Sequence, residues 1–181
     1  SRKIEQEAIH AISSDLTVAK LVYDNEVSTI EKLAKSYAQK RTVVLFFDLS
    51  MNERLGRDLA KSDQSRTADM VTVIDLNYKV IARSHKPETF GDIIPPNPFI
   101  ESALSGKTVS GTESVSYEDI CRDGAEYLFR SADPSERIIA LTSASPIYDQ
   151  SQQNIIGAVI ARNILNDDLI FVNKISNIVK R

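Results

Sequence analysis

The stretch Val71-Thr-Val-Ile-Asp-Leu-Asn-Tyr-Lys-Val-Ile-Ala-Arg-Ser-His85 decides the fold. Two apolar, β-branched runs, 71–75 and 79–85, flank the short polar joint Leu76-Asn77-Tyr78. That arrangement reads as a β-hairpin. Nearly everything before it reads as helix, and most of the chain after it reads as strand and turn. Arg83 and His85 stand two apart on the second strand, so their side chains share one face. Two readings are open for them. Either they are solvated at a strand end, or they form a cationic spot that holds a carboxylate through charge-assisted hydrogen bonds.

Upstream, the first glycine is Gly56 and the first proline is Pro87. A breaker-free stretch of this length favours helix. Ile9, Ile12, Leu16, Ala19, Tyr23, Val27, Ile30, Ala34 and Tyr37 recur at steps of three and four, which is one helix face. At 1.5 Å per residue such a helix is about 55–60 Å long, so part of it should project as a stalk or pair with a second copy. The alternative is two helices broken near Ser13-Ser14-Asp15 or Asp24-Asn25. Val43-Val-Leu-Phe-Phe47 reads as the buried end of the first helix. Ser50-Met-Asn-Glu53 has the form of a capping box and starts a second helix over 51–66, with Leu55 and Leu59 on its buried side.

Downstream, residues 86–96 form a loop rich in proline and glycine. Asn97-Pro98 starts a short helix that Gly106 stops. Strands are expected over 108–115, 126–130 and 137–145, the last ended by Pro146, with 117–124 as a polar loop. The run Asn154-Ile-Ile-Gly-Ala-Val-Ile-Ala161 is apolar on both faces and should be a central strand. Asn166-Asp-Asp168 caps a closing helix bearing Leu169, Val172, Ile175 and Ile178. The order implies an α+β fold, an antiparallel sheet with helices laid on one face.

The 181 residues suffice for one domain with its own core, and 42% hydrophobic with 26% charged residues is ordinary for a globular chain. A net charge of −3 gives no general attraction to nucleic acid. No apolar stretch approaches the roughly 20 residues of a membrane span. Helical patterns at both ends read as a domain cut from a longer protein. Cys121 is the single cysteine and His10 and His85 the only histidines, without metal-ligand spacing. Asp48, Asp75 and Asp92 are loose candidates for an oxygen-only cation site. Ser105-Gly-Lys-Thr108 ends like a phosphate loop, but Glu101 stands where that motif needs glycine. No serine or cysteine has a positioned base, so catalysis is not expected and no cofactor is implied. The ligand-binding candidates are Arg83, His85 and Arg130, with Ser143 and Ser145 as neutral hydrogen-bonding groups and Tyr127 as a wall. Phe99 reads as core.

The hairpin 71–85, then Phe90-Gly-Asp92, Ala103-Leu-Ser-Gly-Lys107, Leu141-Thr-Ser-Ala-Ser-Pro-Ile-Tyr-Asp149 and Ile155-Ile-Gly-Ala-Val-Ile160, resemble in order the Cache-type extracytoplasmic sensor domains of bacterial chemoreceptors and sensor kinases. The resemblance spans about residues 16–173. It implies a PAS-like antiparallel sheet in the single-module form. Residues 1–68 would be the helical stalk and packing helices, 69–165 the sheet, and 166–181 a C-terminal helix toward the membrane. It further implies a small-molecule ligand held between sheet and loops, no catalysis, no nucleic-acid partner, flanking transmembrane helices outside this chain, and a periplasmic location. A homodimer through the N-terminal helix fits the same picture. Asn77-Tyr78 replaces the usual glycine turn, and the aromatic-Asp signature of amino-acid-binding double modules is missing. The expected ligand is therefore a short organic acid. Its binding would move the last strand and the helix after it. The rival readings are a non-sensing dimerisation module and a cytoplasmic flavin or haem domain.

Overall fold

A computed structural model describes residues 2–62, 68–128 and 138–165. The breaker-free N-terminus forms one uninterrupted helix, α1 (Arg2–Gln39), of 38 residues. Neither of the alternative breaks occurs. Residues 10–17 are exposed on every side, whereas Val22, Ile30, Ala34, Tyr37 and Ala38 are buried. The helix therefore lies on the sheet with its second half and projects beyond it with its first.

The expected continuation through Val43–Phe47 is helical but separate. Lys40 is extended (φ −67°, ψ 122°) and α2 (Arg41–Asp48) begins after it. The cause is tertiary: Lys40 Nζ and Thr42 Oγ1 both donate to Asp58 Oδ2, at 3.0 and 3.1 Å. Asp58 lies on α3 (Asn52–Ser62), so the corner is tied to the next helix. The capping box is corrected too. Ser50 is left-handed (φ 54°) and the helix starts two residues later, with Leu55 N–H donating to Met51 O. Glu53 instead pairs with Arg57 one turn on. Leu55 and Leu59 are fully buried, as their spacing requires.

The sheet has the order β2-β1-β5-β4-β3, with every pair antiparallel. The hairpin is β1 (Met70–Asp75) and β2 (Val80–Arg83). Asp75 Oδ1 accepts from the amides of Asn77 and Lys79, and Tyr78 takes the left-handed conformation (φ 61°) that glycine usually fills. β3 is Val109–Val115, β4 Ile138–Tyr148 and β5 Ile155–Ile164. β5 is the central strand, in agreement with its two apolar faces. β4 runs through Pro146 rather than stopping there. Its pairing with β3 ends at Ala144, so the strand is an edge on one side at Pro146, a setting in which proline is tolerated.

Helices cover both faces of the sheet, not one. On the first face Val71, Val73, Leu141, Ile147, Val159 and Ala161 meet α1, α2 and α3. On the second, Ile74, Val80, Ala144, Ala158 and Ile160 meet Ile100 and Ala103 of α4 (Pro98–Leu104). The expected polar loop 117–124 is a helix, α5 (Tyr117–Asp123): Ser116 caps it by accepting from Asp119 N–H, and Gly124 ends it at φ 84°. The expected strand 126–130 is a 3-10 turn over Glu126–Leu128. The expected C-terminal helix lies outside the described residues. Among the described residues no helix is long and apolar enough to cross a membrane.

Gly157 sits where β5 is squeezed between β1 and β4. A Cβ there would lie 2.1 Å from the carbonyl oxygen of Ile74, a backbone atom that cannot swing away. Gly157→Ala is expected to lower stability by about 1–3 kcal/mol or more, the usual cost of overpacking. Gly111→Ala, whose Cβ would meet only the Phe99 ring at 3.8 Å, should leave the thermal midpoint nearly unchanged. Thermal unfolding followed by circular dichroism checks the pair.

Candidate functional site

The side chains on the second sheet face build a chain of alternating charge. Thr72 and Arg83 are cross-strand partners and share this face. Arg83 is fully buried. Its Nε donates to Asp123 Oδ1 at 2.7 Å. Its Nη1 and Nη2 donate to the two oxygens of Asp92 at 2.7 and 2.8 Å, and Nη1 also reaches Thr89 O at 3.1 Å. This is the bidentate geometry in which guanidinium and carboxylate bind most strongly. Burial works against the Arg83 charge, but its bonds to Asp92 and Asp123 outweigh it and hold its pKa above the ordinary value. The Arg83 hydrogen bonds hold the Asp92 carboxyl below the ordinary carboxylate range.

Arg162, on β5, continues the chain. Its Nε donates to Glu113 Oε2 at 3.1 Å and its Nη1 lies 3.6 Å from Asp123 Oδ2. Here too burial opposes the charge, and Glu113 and Asp123 more than offset it. Thr142 Oγ1 donates to Glu113 Oε2 and Asn97 Nδ2 donates to Glu113 Oε1, each at 2.8 Å. Asn97 meanwhile caps α4, its Oδ1 accepting from Ile100 N–H. The order is Asp92, Arg83, Asp123, Arg162, Glu113.

Above part of this chain lies a pocket of about 170 Å³. Thr72, Glu113 and Arg162 contribute from the sheet; Ile94, Pro95, Pro96 and Asn97 form one wall; Asp119, Arg122 and Asp123 of α5 form the other. Arg122 is held by Glu118 and Asp119, at 3.0 and 3.4 Å. The lining thus carries three carboxylates and two guanidiniums.

The structure separates the candidates expected from sequence. Arg83 is on the pocket face but beneath it, engaged by Asp92 and Asp123, and does not line the pocket; the expected open cationic spot is therefore an internal ion pair. His85 is half-buried, with Nδ1 3.0 Å from Ser84 Oγ and its ring 5.6 Å from that of Tyr127. Tyr127 is exposed on the 3-10 turn. Neither lines the pocket. Ser143 and Ser145 are buried on the opposite, α1-facing side, where they meet Ser110 Oγ at 2.8 Å and Thr108 Oγ1 at 3.0 Å. The alternation of β4 places them with Leu141 and Ile147, on the face that packs against α1. Arg130 lies outside the described residues. Asp48 accepts from Gln150, Asp75 holds the hairpin turn and Asp92 holds Arg83. Among the described residues no group of metal-ligating side chains could hold an ion.

Glu113, Asp123, Arg122 and Arg162 were not anticipated. Arg162 had a signal: it is the first charge after the apolar run 154–161, and the strand simply extends three residues further than that run.

A five-stranded antiparallel sheet, a long N-terminal helix and a small charged pocket under a loop make up the fold and its candidate site. The chain matches, over residues 1–179, the family described as the double sensory domain of two-component sensor kinases, and it belongs to that family. The described residues hold one sheet of this kind. No curated protein matches it in sequence. Several solved structures share the fold. The sensor domain of the Vibrio cholerae histidine kinase DctB aligns with a TM-score of 0.70 at 14% identity, over 95% of this chain and 60% of that one. The periplasmic domain of V. cholerae LuxQ gives 0.64 at 13%, over 93% and 70%. The ligand-binding domain of the Campylobacter jejuni chemoreceptor Tlp3, solved with L-valine, gives 0.55 at 14%, over 97% and 64%. The chain therefore spans 60–70% of the length of these domains.

The depressed pKa of Asp92 sets a pH dependence. A carboxyl whose folded pKa lies below its unfolded value, about 3.9, adds stability that is complete well above that value and is lost as pH falls through the folded pKa. The stability gap between wild type and Asp92→Asn should be constant above about pH 5 and shrink below about pH 4. Urea unfolding at stepped pH measures it; a gap that does not vary between pH 3 and 7 would be the contrary result.

Proposed function

We propose that this chain is the extracytoplasmic ligand-sensing domain of a bacterial transmembrane receptor, and that residues 1–181 act as one sensor module. The supporting observation is the pocket between sheet, loop and α5 with both signs of charge in its lining. A cavity of about 150 Å³ accepts a benzene-sized molecule, so about 170 Å³ suits a ligand of roughly six to eight non-hydrogen atoms. Arg122 and Arg162 would face its carboxylate. Because the lining already holds one more carboxylate than guanidinium, a monocarboxylate, or a carboxylate balanced by an ammonium group on the same molecule, matches better than a dicarboxylate. The L-valine complex of the Tlp3 domain is in keeping with that size and chemistry.

In this reading α1 lies toward one membrane-spanning helix and the segment after β5 toward another, on the periplasmic side of the inner membrane. Ligand binding at Arg162 would act on β5 itself, the strand that leads into residues 166–181. A ligand shifts such an equilibrium only by its difference in affinity for the two states. The exposed Ile12 and Leu16, one turn apart on α1, suit pairing with a second copy, which is also the feature that favours the rival reading, a dimerisation module without a ligand.

Calorimetric titration with acetate, succinate and L-valine tests the proposal. A monocarboxylate should bind, and Arg122→Ala should weaken it by about tenfold or more, the loss of a charge-assisted hydrogen bond. Equal affinity in both proteins would remove Arg122 from the site, and no binding by any of the three would favour the rival. Sedimentation should show a dimer that Leu16→Glu dissociates; a wild-type monomer would count against pairing through α1.

A further inference from the structure

We infer that Arg83 is a positioning residue that fixes the two walls of the pocket relative to each other, acting on ligand binding through Asp92 and Asp123 without touching the ligand. Three of its hydrogen bonds go to the loop, to Thr89 O and both Asp92 oxygens, and one goes to Asp123, the last residue of α5. Asp92 lies two residues before Ile94, where the loop wall begins, and Asp123 is itself part of the other wall. The guanidinium is planar and rigid, so its edges set the distance and angle between the segments that carry those carboxylates.

The loop is fixed on its outer side as well. Val80 N–H donates to Asp92 O, and Gly91 N–H donates to Val80 O, so 91–92 run beside β2. A second tie between loop and helix is Lys86 Nζ donating to Cys121 O at 2.7 Å. That bond reaches the end of α5 from residue 86, eight positions before the wall. Arg83 holds the loop at 89–92, next to the pocket, and is its buried anchor. Asp123 Oδ2 also takes Thr72 Oγ1 at 3.3 Å and faces Arg162, so the α5 side of the clamp reaches the charges that line the pocket.

The inference rests on the pocket being the ligand site only for its effect on affinity; the clamp itself is tested separately. Amide hydrogen exchange is measured by mass spectrometry on peptides covering 86–97 and 116–124, in wild type, Asp92→Asn, Asp123→Asn and Arg83→Lys. Asp92→Asn should speed exchange in 86–97 by about tenfold and leave 116–124 within about twofold; Asp123→Asn should do the reverse; Arg83→Lys should loosen both. A merely structural role would lower the midpoint of unfolding and loosen both segments alike in all three. That pattern, or an Arg83→Lys protein with unchanged exchange, would overturn the clamp. Whichever of acetate, succinate or L-valine binds wild type should bind Arg83→Lys and Asp92→Asn about tenfold more weakly; undiminished affinity in both would overturn the coupling to binding. If wild type binds none of them, the sensing site is refuted while the exchange data still decide the clamp.

Discussion

The structure depends on a guanidinium buried where the hairpin meets its covering loop. Taking such a charge out of water costs several kcal/mol, and the cost is recovered only when its donors meet well-placed acceptors. Arg83 has them in Asp92, Asp123 and Thr89 O. The arrangement gives an otherwise irregular segment a single address. Residues 86–96 contain proline and glycine, and their large side chains Phe90 and Ile93 are exposed, so hydrophobic burial alone would place them poorly. The bidentate bond of Asp92 to one buried cation places them well. Removing one partner would leave the buried guanidinium short of a counter-charge, the costly case for an ion out of water.

The sheet divides the molecule into two chemistries. Its α1 face is largely apolar, and the buried Ser143 and Ser145 hydrogen-bond Ser110 and Thr108 there. Its other face carries the alternating acids and arginines. β5 belongs to both: Val159 and Ala161 pack toward α1, while Ile160 and Arg162 face the pocket side. Arg162 thus sits on a strand whose other face packs against α1.

The parts of the fold that were legible in the sequence are those with local causes. The hairpin follows from alternating β-branched runs, α4 from Asn97-Pro98 and Gly106, β5 from its continuous apolar run, and α1 from the lack of breakers. The break at Lys40 was not legible because its cause is Asp58, eighteen residues away. α5 carried a cap and a stop, Ser116 and Gly124, but the polar composition between them reads as loop until Ile120 is seen to be buried. The site was less legible than the fold. Strand parity puts Ser143 and Ser145 on one face without saying which. Arg83 was on the right face, but its role turns on Asp123, forty residues later and across the sheet. Pairing of that range leaves no periodic trace.

Asn97 ties these levels together through a single planar amide. Its oxygen starts α4 and its nitrogen holds Glu113. A serine at this place would begin the helix equally well but lacks a second polar atom to reach the acid, and an aspartate would begin it while setting two negative groups against each other. The carboxamide alone, among short side chains, has one atom to accept and another to donate, so one residue both opens a helix and orients an acid in the wall of a cavity.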